Sequence, residues 1–423
     1  MADTTNTSQT TSSLGFSQYN QIDIKDVSLY REGWSESQKI KITSIIEEVN
    51  IYEDCVESPT VTVSMLISDP VNITDSLPII GGERVSITYR TPTLVDYNIM
   101  EFVVYKTGHR VIDKENQRSQ KYILYLCTLD RYVDSYTDVS QAFTGSYGDI
   151  ITSSMNILKS TKSLNIDSIN KCNGVQSFVA PYWSPLKICQ WCAKRSIGTN
   201  YEPFLFYETL DGYSYSSLKT LYSQTPYTKF FIEPKKTQGM QTDIQKQFRT
   251  VVDFEYLESN DKLIQNAEGI FGATVYRLNV SAQTISKSNY DYTTMFKLPQ
   301  AVMMEKYELY DDVASLRTKG KFILSRADNS DLGLYYRKML FGLMGTYRIR
   351  IMVPGDSAIR AGMMVNLDIP ARRTTMDNAE QLTSGKWFVK SLRHILKRNA
   401  YFTILELCKD SYPIDVTKQI NGN

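Results

Sequence analysis

The sequence predicts an α+β fold that is mainly β, with two similar antiparallel β-barrel domains and a helical and mixed insertion between them. Three observations carry this. Several segments alternate apolar and polar residues with the period of a half-buried strand. An ordered set of short motifs occurs twice, about 280 residues apart. The 29 tyrosines among 423 residues favour strands and amphipathic interfaces over long helices.

The repeat runs in the same order in both copies. Gly82-Glu83-Arg84-Val85-Ser86-Ile87 answers Gly362-Met363-Met364-Val365-Asn366-Leu367. Phe102-Val103-Val104 leads to His109 as Trp387-Phe388-Val389 leads to His394. Ile123-Leu124-Tyr125-Leu126-Cys127 answers Ile404-Leu405-Glu406-Leu407-Cys408. A chain that duplicates a β-domain presents two like surfaces.

Taken in order, residues 1–23 form a polar arm rich in Ser, Thr, Gln and Asn, expected to be disordered. The arm has neither the basic start nor the apolar core of a signal peptide. Residues 24–132 read as the first barrel. Ser28–Ile45 and Val49–Cys55 lead into the alternating run Val61–Ile67, which Asp69-Pro70 stops. Val85, Ile87 and Tyr89 then share one strand face, and the Phe102 and Tyr122 strands close the unit around a polar loop at 113–120.

The period changes over residues 133–228. Tyr147–Leu158 and Pro185–Ile197 read as helices, the second with Ser184 as N-cap, proline at its first position and Gly198 as its stop. Phe204–Tyr207 and Tyr213–Tyr215 form a hairpin, for which Asp211-Gly212 predicts a type I′ turn. Residues 229–318 form a mixed segment: Thr250–Asn266 fits strand or helix, Ala273–Val280 reads as a strand, and Tyr290–Phe296 as extended. Residues 319–412 hold the second barrel, with a helix at Asp331–Met344 stopped by Gly345 and a strand at Tyr347–Val353. Residues 413–423 are a polar tail.

Formal net charge is +1, from 47 basic and 46 acidic residues, which argues against a bulk nucleic-acid or membrane surface. No apolar run is long enough to span a bilayer as a helix. Six cysteines are scattered through the chain, a usage that fits a reducing compartment rather than a disulfide framework.

Catalytic material is thin. The two histidines, His109 and His394, occupy equivalent places in the two copies, so neither a His-based zinc site nor a Ser-His-Asp triad has its parts. Cys189 and Cys192 form a Cys-x-x-Cys inside the predicted helix, away from the N-terminus where a helix dipole stabilises a thiolate, and read as core packing. Of the acid pairs Glu47-Glu48, Glu53-Asp54 and Asp311-Asp312, Glu53-Asp54 falls between strand runs and reads as solvated charge. Arg372-Arg373 reads as loop charge, with contact to an assembly partner as the alternative. The sequence therefore predicts no catalytic residue, cofactor-binding residue or metal ligand.

With these elements laid out, the chain resembles the baseplate hub proteins of contractile-tailed bacteriophages, a family related to the trimeric body of the type VI secretion spike. The resemblance spans roughly residues 24–412. It rests on Pro203–Tyr215, Asn266–Ala273, Tyr290-Asp291-Tyr292, Ala361-Gly362, Gly385–Val389 with His394, and Tyr401–Leu405. It implies a structural, non-enzymatic homotrimer in the virion tail. Two tail-tube-like barrels in each of three subunits give a pseudo-six-fold ring, which joins a hexameric tail tube protein to a trimeric central spike protein and leaves a channel for DNA. A separate spike protein is expected, since the chain stops at Asn423. The alternatives are a tail-associated cell-wall hydrolase, a cysteine redox protein, or a spike component of a type VI secretion or other contractile injection system.

Overall fold

The computed structural model describes residues 20–70, 72–91, 97–112, 119–167, 175–199, 201–232, 247–259, 261–291, 322–326, 331–370 and 383–410. The first half supplies strands β1 (Asp23–Tyr30), β2 (Ile40–Lys41), β3 (Ile46–Asp54), β4 (Thr62–Asp69), β5 (Arg84–Arg90), β6 (Asn98–Ile112) and β7 (Gln120–Cys127), with a short helix α1 (Ile73–Ser76) after β4. The middle holds helices α2 (Leu129–Asp134), α3 (Tyr147–Leu158), α4 (Pro185–Arg195) and α5 (Leu218–Ser223). Among them lie strands β8 (Ala142–Gly145), β9 (Leu164–Ile166), β10 (Gln176–Val179), β11 (Phe204–Thr209) and β12 (Gly212–Ser217). Next come β13 (Lys229–Phe231), β14 (Asp253–Ser259), helix α6 (Lys262–Glu268), β15 (Gly272–Asn279), β16 (Thr284–Asp291) and β17 (Phe322–Arg326). Helix α7 (Asp331–Met344) leads into β18 (Tyr347–Pro354), β19 (Met364–Asp368), β20 (Gly385–Lys397) and β21 (Ala400–Lys409).

Strand alternation sets the cores. In β4 and β5 every second residue is buried, and Val63, Met65, Ile67, Val85, Ile87 and Tyr89 point the same way. They meet Val27 and Leu29 of β1 and Val49 and Ile51 of β3, strands at or near opposite ends of the first-half order, in one core. The sheet therefore curls on itself. The chain after β2 crosses the remaining gap, where the Ile42 N–H donates to the Val27 carbonyl at 2.8 Å. A second curl surrounds Ile349, Ile351, Val365, Trp387, Val389, Leu405 and Leu407.

The two halves pair their strands in the same order. The first runs β3-β4-β7-β6-β5-β1 and the second β14-β18-β21-β20-β19-β13. Registers agree as well: Val85 faces Phe102 as Val365 faces Trp387, and Val103 faces Cys127 as Phe388 faces Cys408. Both copies carry a bulge just beyond, between Val104 and Lys106 and between Val389 and Ser391. One pair differs: β1 runs antiparallel to β5, whereas β13 runs parallel to β19. Strands β13 and β14 lie in the stretch that reads from sequence as a mixed segment. Short strands there are hard to read because their pairing is with residues far along the chain.

The repeated glycines are equivalent in detail. Gly82 donates its N–H to the Val104 carbonyl while the Val104 N–H donates to Glu83; Gly362 and Val389 make the same exchange with Met363. Both glycines have φ of +87°.

The two curls are not separate. β20 pairs with β3, so both halves belong to one 13-stranded sheet. The insertion builds a third core from α3, α4 and the β11–β12 hairpin. A fourth core places α5, α7 and β11 against Met364, Phe388 and Cys408.

Several local expectations need correction. The β11–β12 turn centres on Leu210 and Asp211, because Thr209 pairs with Gly212, and neither turn residue has the positive φ of a type I′ turn. Gly212 is needed for another reason: a Cβ there would lie 2.6 Å from the Ser163 carbonyl oxygen. Helix α4 ends at Arg195 with Ser196 as its C-cap, short of Gly198. Ser28–Ile45 is only partly strand, since β1 ends at Tyr30 and β2 is two residues long. The Thr250–Asn266 ambiguity resolves into both, strand β14 and helix α6. Residues 1–19 of the arm, the tail, Asp311-Asp312, Arg372-Arg373 and Cys172 lie outside the described residues. The end of the arm, expected to be disordered, is built into the fold: the Tyr401 N–H donates to the Asn20 carbonyl at 2.8 Å and Asp23 opens β1.

Gly82→Ala and Gly362→Ala are both expected to destabilise, by about 1–2 kcal/mol from backbone strain alone. Gly362→Ala is expected to cost more, because its Cβ falls 2.2 Å from the Tyr207 hydroxyl whereas at Gly82 the nearest atom is 3.2 Å away. Denaturant melts of the two variants give the comparison.

Candidate assembly surface

Where the two halves join, β20 runs antiparallel to β3 from Ser391 opposite Asp54 to Lys397 opposite Glu48. On one face of this seam Arg393 donates to the Asn50 side chain at 2.9 Å, and both Arg393 and Lys397 reach Glu48 at 3.3 Å. Lys390, at the β20 bulge, holds Glu57 at 2.6 Å and Glu406 at 3.3 Å. The half-exposed Glu48 pairs with Arg393 and Lys397 are worth about 0–1 kcal/mol each and mainly fix register. On the other face, Leu396 and Tyr401 from the tip of the β20–β21 hairpin reach across into the first-half core beside Val49 and Ile51.

A buried carboxylate fastens the insertion at this seam. Glu53, on β3, accepts hydrogen bonds from the Leu210 N–H at 2.8 Å and the Ala361 N–H at 3.0 Å, joining all three parts of the chain. The guanidinium of Arg360 makes its close contact with Asp211 at 2.7 Å and approaches Glu53 only to 4.0 Å. Burial therefore dominates and pushes Glu53 up to about 7, against the opposing pull of Arg360 and the two N–H groups. Glu208, buried on β11, is tied in the same manner by the Val61 N–H, the Thr128 hydroxyl and Lys162. Removing one partner of a buried arrangement of this kind typically costs about 3–5 kcal/mol.

The sequence-predicted candidates do not converge. His109 sits on the exposed far half of β6 with φ of +51°. His394 is fully buried on β20 against the hydroxyls of Tyr401 at 2.9 Å and Thr403 at 3.3 Å. Burial, with the nearby Arg360 charge, lowers its pKa to about 3, so it is a neutral core residue. Cys189 and Cys192 are buried within α4 and unbridged, and burial pushes the Cys189 thiol well up, away from thiolate chemistry. Glu47 pairs with Lys121, and Glu48 with the seam cations.

Reading Glu53-Asp54 as solvated charge is wrong for Glu53, which lies inside β3 and is buried. No local pattern reveals this, since its partners are at positions 210, 360 and 361. Asp54 does stay local, accepting from the N–H groups of Val56 and Glu57. Among the described residues, no cluster of three or more His, Cys, Asp or Glu residues could hold a metal ion. No helix among them is long and apolar enough to cross a membrane.

No family model matches the chain, and no curated protein matches it in sequence. Its fold is shared with solved phage tail proteins. A tail protein from Neisseria meningitidis MC58 aligns over 91% of this chain and 96% of its own, with a TM-score of 0.53 at 13% identity. The 43 kDa tail protein of prophage MuSo2 from Shewanella oneidensis aligns over 91% and 98%, with a TM-score of 0.56 at 8% identity. A chain of a PdpA-VgrG complex aligns over 94% of this chain and 66% of its own, with a TM-score of 0.50 at 8% identity.

Two measurements follow. Between about pH 4.5 and 7 a buried Glu53 binds a proton that the unfolded chain has already lost, so its contribution to stability is fully present below that window and is lost as pH rises through about 7. Glu53→Gln is expected to lower stability overall but to remove a slope on the order of 1–3 kcal/mol across that range. An unchanged slope contradicts the assignment. The double variant Cys189→Ala, Cys192→Ala is expected to lose about 1–3 kcal/mol of packing and no bound metal, read by melting and by metal analysis.

Proposed function

We propose that this chain is the structural hub of a contractile phage-tail baseplate: a homotrimer whose six half-chain units form a pseudo-six-fold ring between a hexameric tube protein and a trimeric spike protein. The observation that carries this is the duplication at the level of strand order, register, bulge and glycine turn. Three copies of a chain with two like halves present six like surfaces on one side and three-fold symmetry on the other. The fold shared with phage tail proteins supports the same reading. So does the PdpA-VgrG neighbour, a chain of a complex, in view of the resemblance to type VI spike bodies.

The hub is a non-enzymatic part. In the ring, DNA passes through a central channel whose wall carries no continuous basic stripe, because a passage that must release DNA cannot hold its phosphates. The protein belongs to the virion tail at the baseplate.

Native mass spectrometry of the purified chain, alone and with its tube and spike proteins, tests the assembly. The expected species contains three chains of 48.5 kDa each. A chain that stays monomeric with both partners present overturns the hub assignment. A peptidoglycan-degradation assay on the same sample is expected to show no activity, and turnover at enzymatic rates favours a cell-wall hydrolase.

A further inference from the structure

The intramolecular seam has an unfilled counterpart. β20 carries β19 along its first half, passes its bulge, and then pairs along its second half with β3. β6 carries β5 along its first half and passes the equivalent bulge, but among the described residues nothing pairs with its outer edge from Tyr105 to Ile112. The counterpart of β3 is β14, which pairs with β18 as β3 pairs with β4. Among the described residues, β14 has no neighbour on its other side.

We infer that these two edges meet between copies of this chain: the far half of β6 from one subunit pairs antiparallel with β14 of the next, repeating β20 on β3. The inference rests on the trimer reading and gives it a residue-level interface. Three seams then lie within chains and three between them, and the ring closes without a free edge.

Register can be transferred from one seam to the other. Ile112 faces Gln120, seven residues before Cys127, as Leu396 faces Tyr401, seven before Cys408. Phe254 faces Ile351 as Val49 faces Met65, at matching places on β18 and β4. Leu396 faces Val49 across the internal seam, so Ile112 faces Phe254 across the proposed one. The extra bulge between Gly108 and Val111, where His109 takes positive φ, is absorbed before this point.

Burial singles out these residues. Leu396 and Val49 are each 1% exposed and Ile51 is 0% exposed, whereas their counterparts Ile112, Phe254 and Tyr256 are 54%, 38% and 41% exposed. Phe254 and Tyr256 nonetheless lie on the core face of their strand, opposite the buried Ile351 and Ile349. They occupy positions built to be covered. Charge agrees in sign: the β6 edge carries Lys106 and Arg110, and β14 carries Asp253, the counterpart of Glu48, and Glu255. The opposite net charge of the two edges favours their pairing with each other over self-pairing of either edge.

The test joins cross-linking to assembly. The double variant Ile112→Cys, Phe254→Cys, mildly oxidised, is expected to give covalent dimers and trimers that reductant reverses, while each single variant gives none; the five described native cysteines are all buried. Ile112→Asp is expected to raise the dissociation concentration of the trimer at least about ten-fold. The monomer melt should hardly move, because the side chain is exposed in the single chain. A trimer that persists in Ile112→Asp, with no cross-link in the double variant, overturns the seam and leaves the hub reading standing. A wild-type chain that never leaves the monomer with its tube and spike partners overturns both.

Discussion

The main-chain ladder between β20 and β3 is the interaction on which the architecture depends. It joins residues more than 330 positions apart and turns two curled sheets into one. Backbone hydrogen bonds fix the relative rotation of the halves more tightly than side-chain packing does, because a slip of one residue would turn every side chain to the wrong face. Around that ladder the β20–β21 hairpin lends Leu396 and Tyr401 to its neighbour's core, so the first half's core is not complete without the second. A fold built this way holds its two copies side by side in one sheet, as the proposed ring requires.

The polar chemistry of the chain serves the same end. Glu53, Glu208 and His394 have the burial and shifted proton affinities that often mark catalytic groups. Here the partners of Glu53 and Glu208 are backbone N–H groups, a hydroxyl and a cation mostly from distant parts of the chain, and those of His394 are hydroxyls of the adjacent strand β21, so each ties one element to another. Perturbed ionisation is a consequence of placing a fastener in a dry junction. The insertion is held by such fasteners on one side and by the apolar contact of α5 and α7 with the outer sheet face on the other.

Much of the fold is legible in the sequence, because strand alternation and helix periodicity are local signals. Tyr147–Leu158 and Asp331–Met344 match the structure to the residue, and the ordered repeat located the equivalent glycines. What escapes is non-local. Strands β13 and β14 are short or flanked by polar residues and gain their identity from β19 and β18. The burial of Glu53 depends on Leu210 and Ala361, and the turn at Leu210-Asp211 is set by the approach of Ser163 to Gly212. The union of the halves through β20 and β3 was equally hidden, since a strand edge carries no motif naming its partner.

The central claim is that one duplicated chain makes a six-fold-like ring from three copies. The most direct measurement is electron-microscopic imaging of the purified assembly, with averages viewed along its axis. The account predicts three-fold symmetry with six similar lobes around an open centre. A two-fold particle, a closed centre, or three lobes with the second halves turned away from the ring would contradict it.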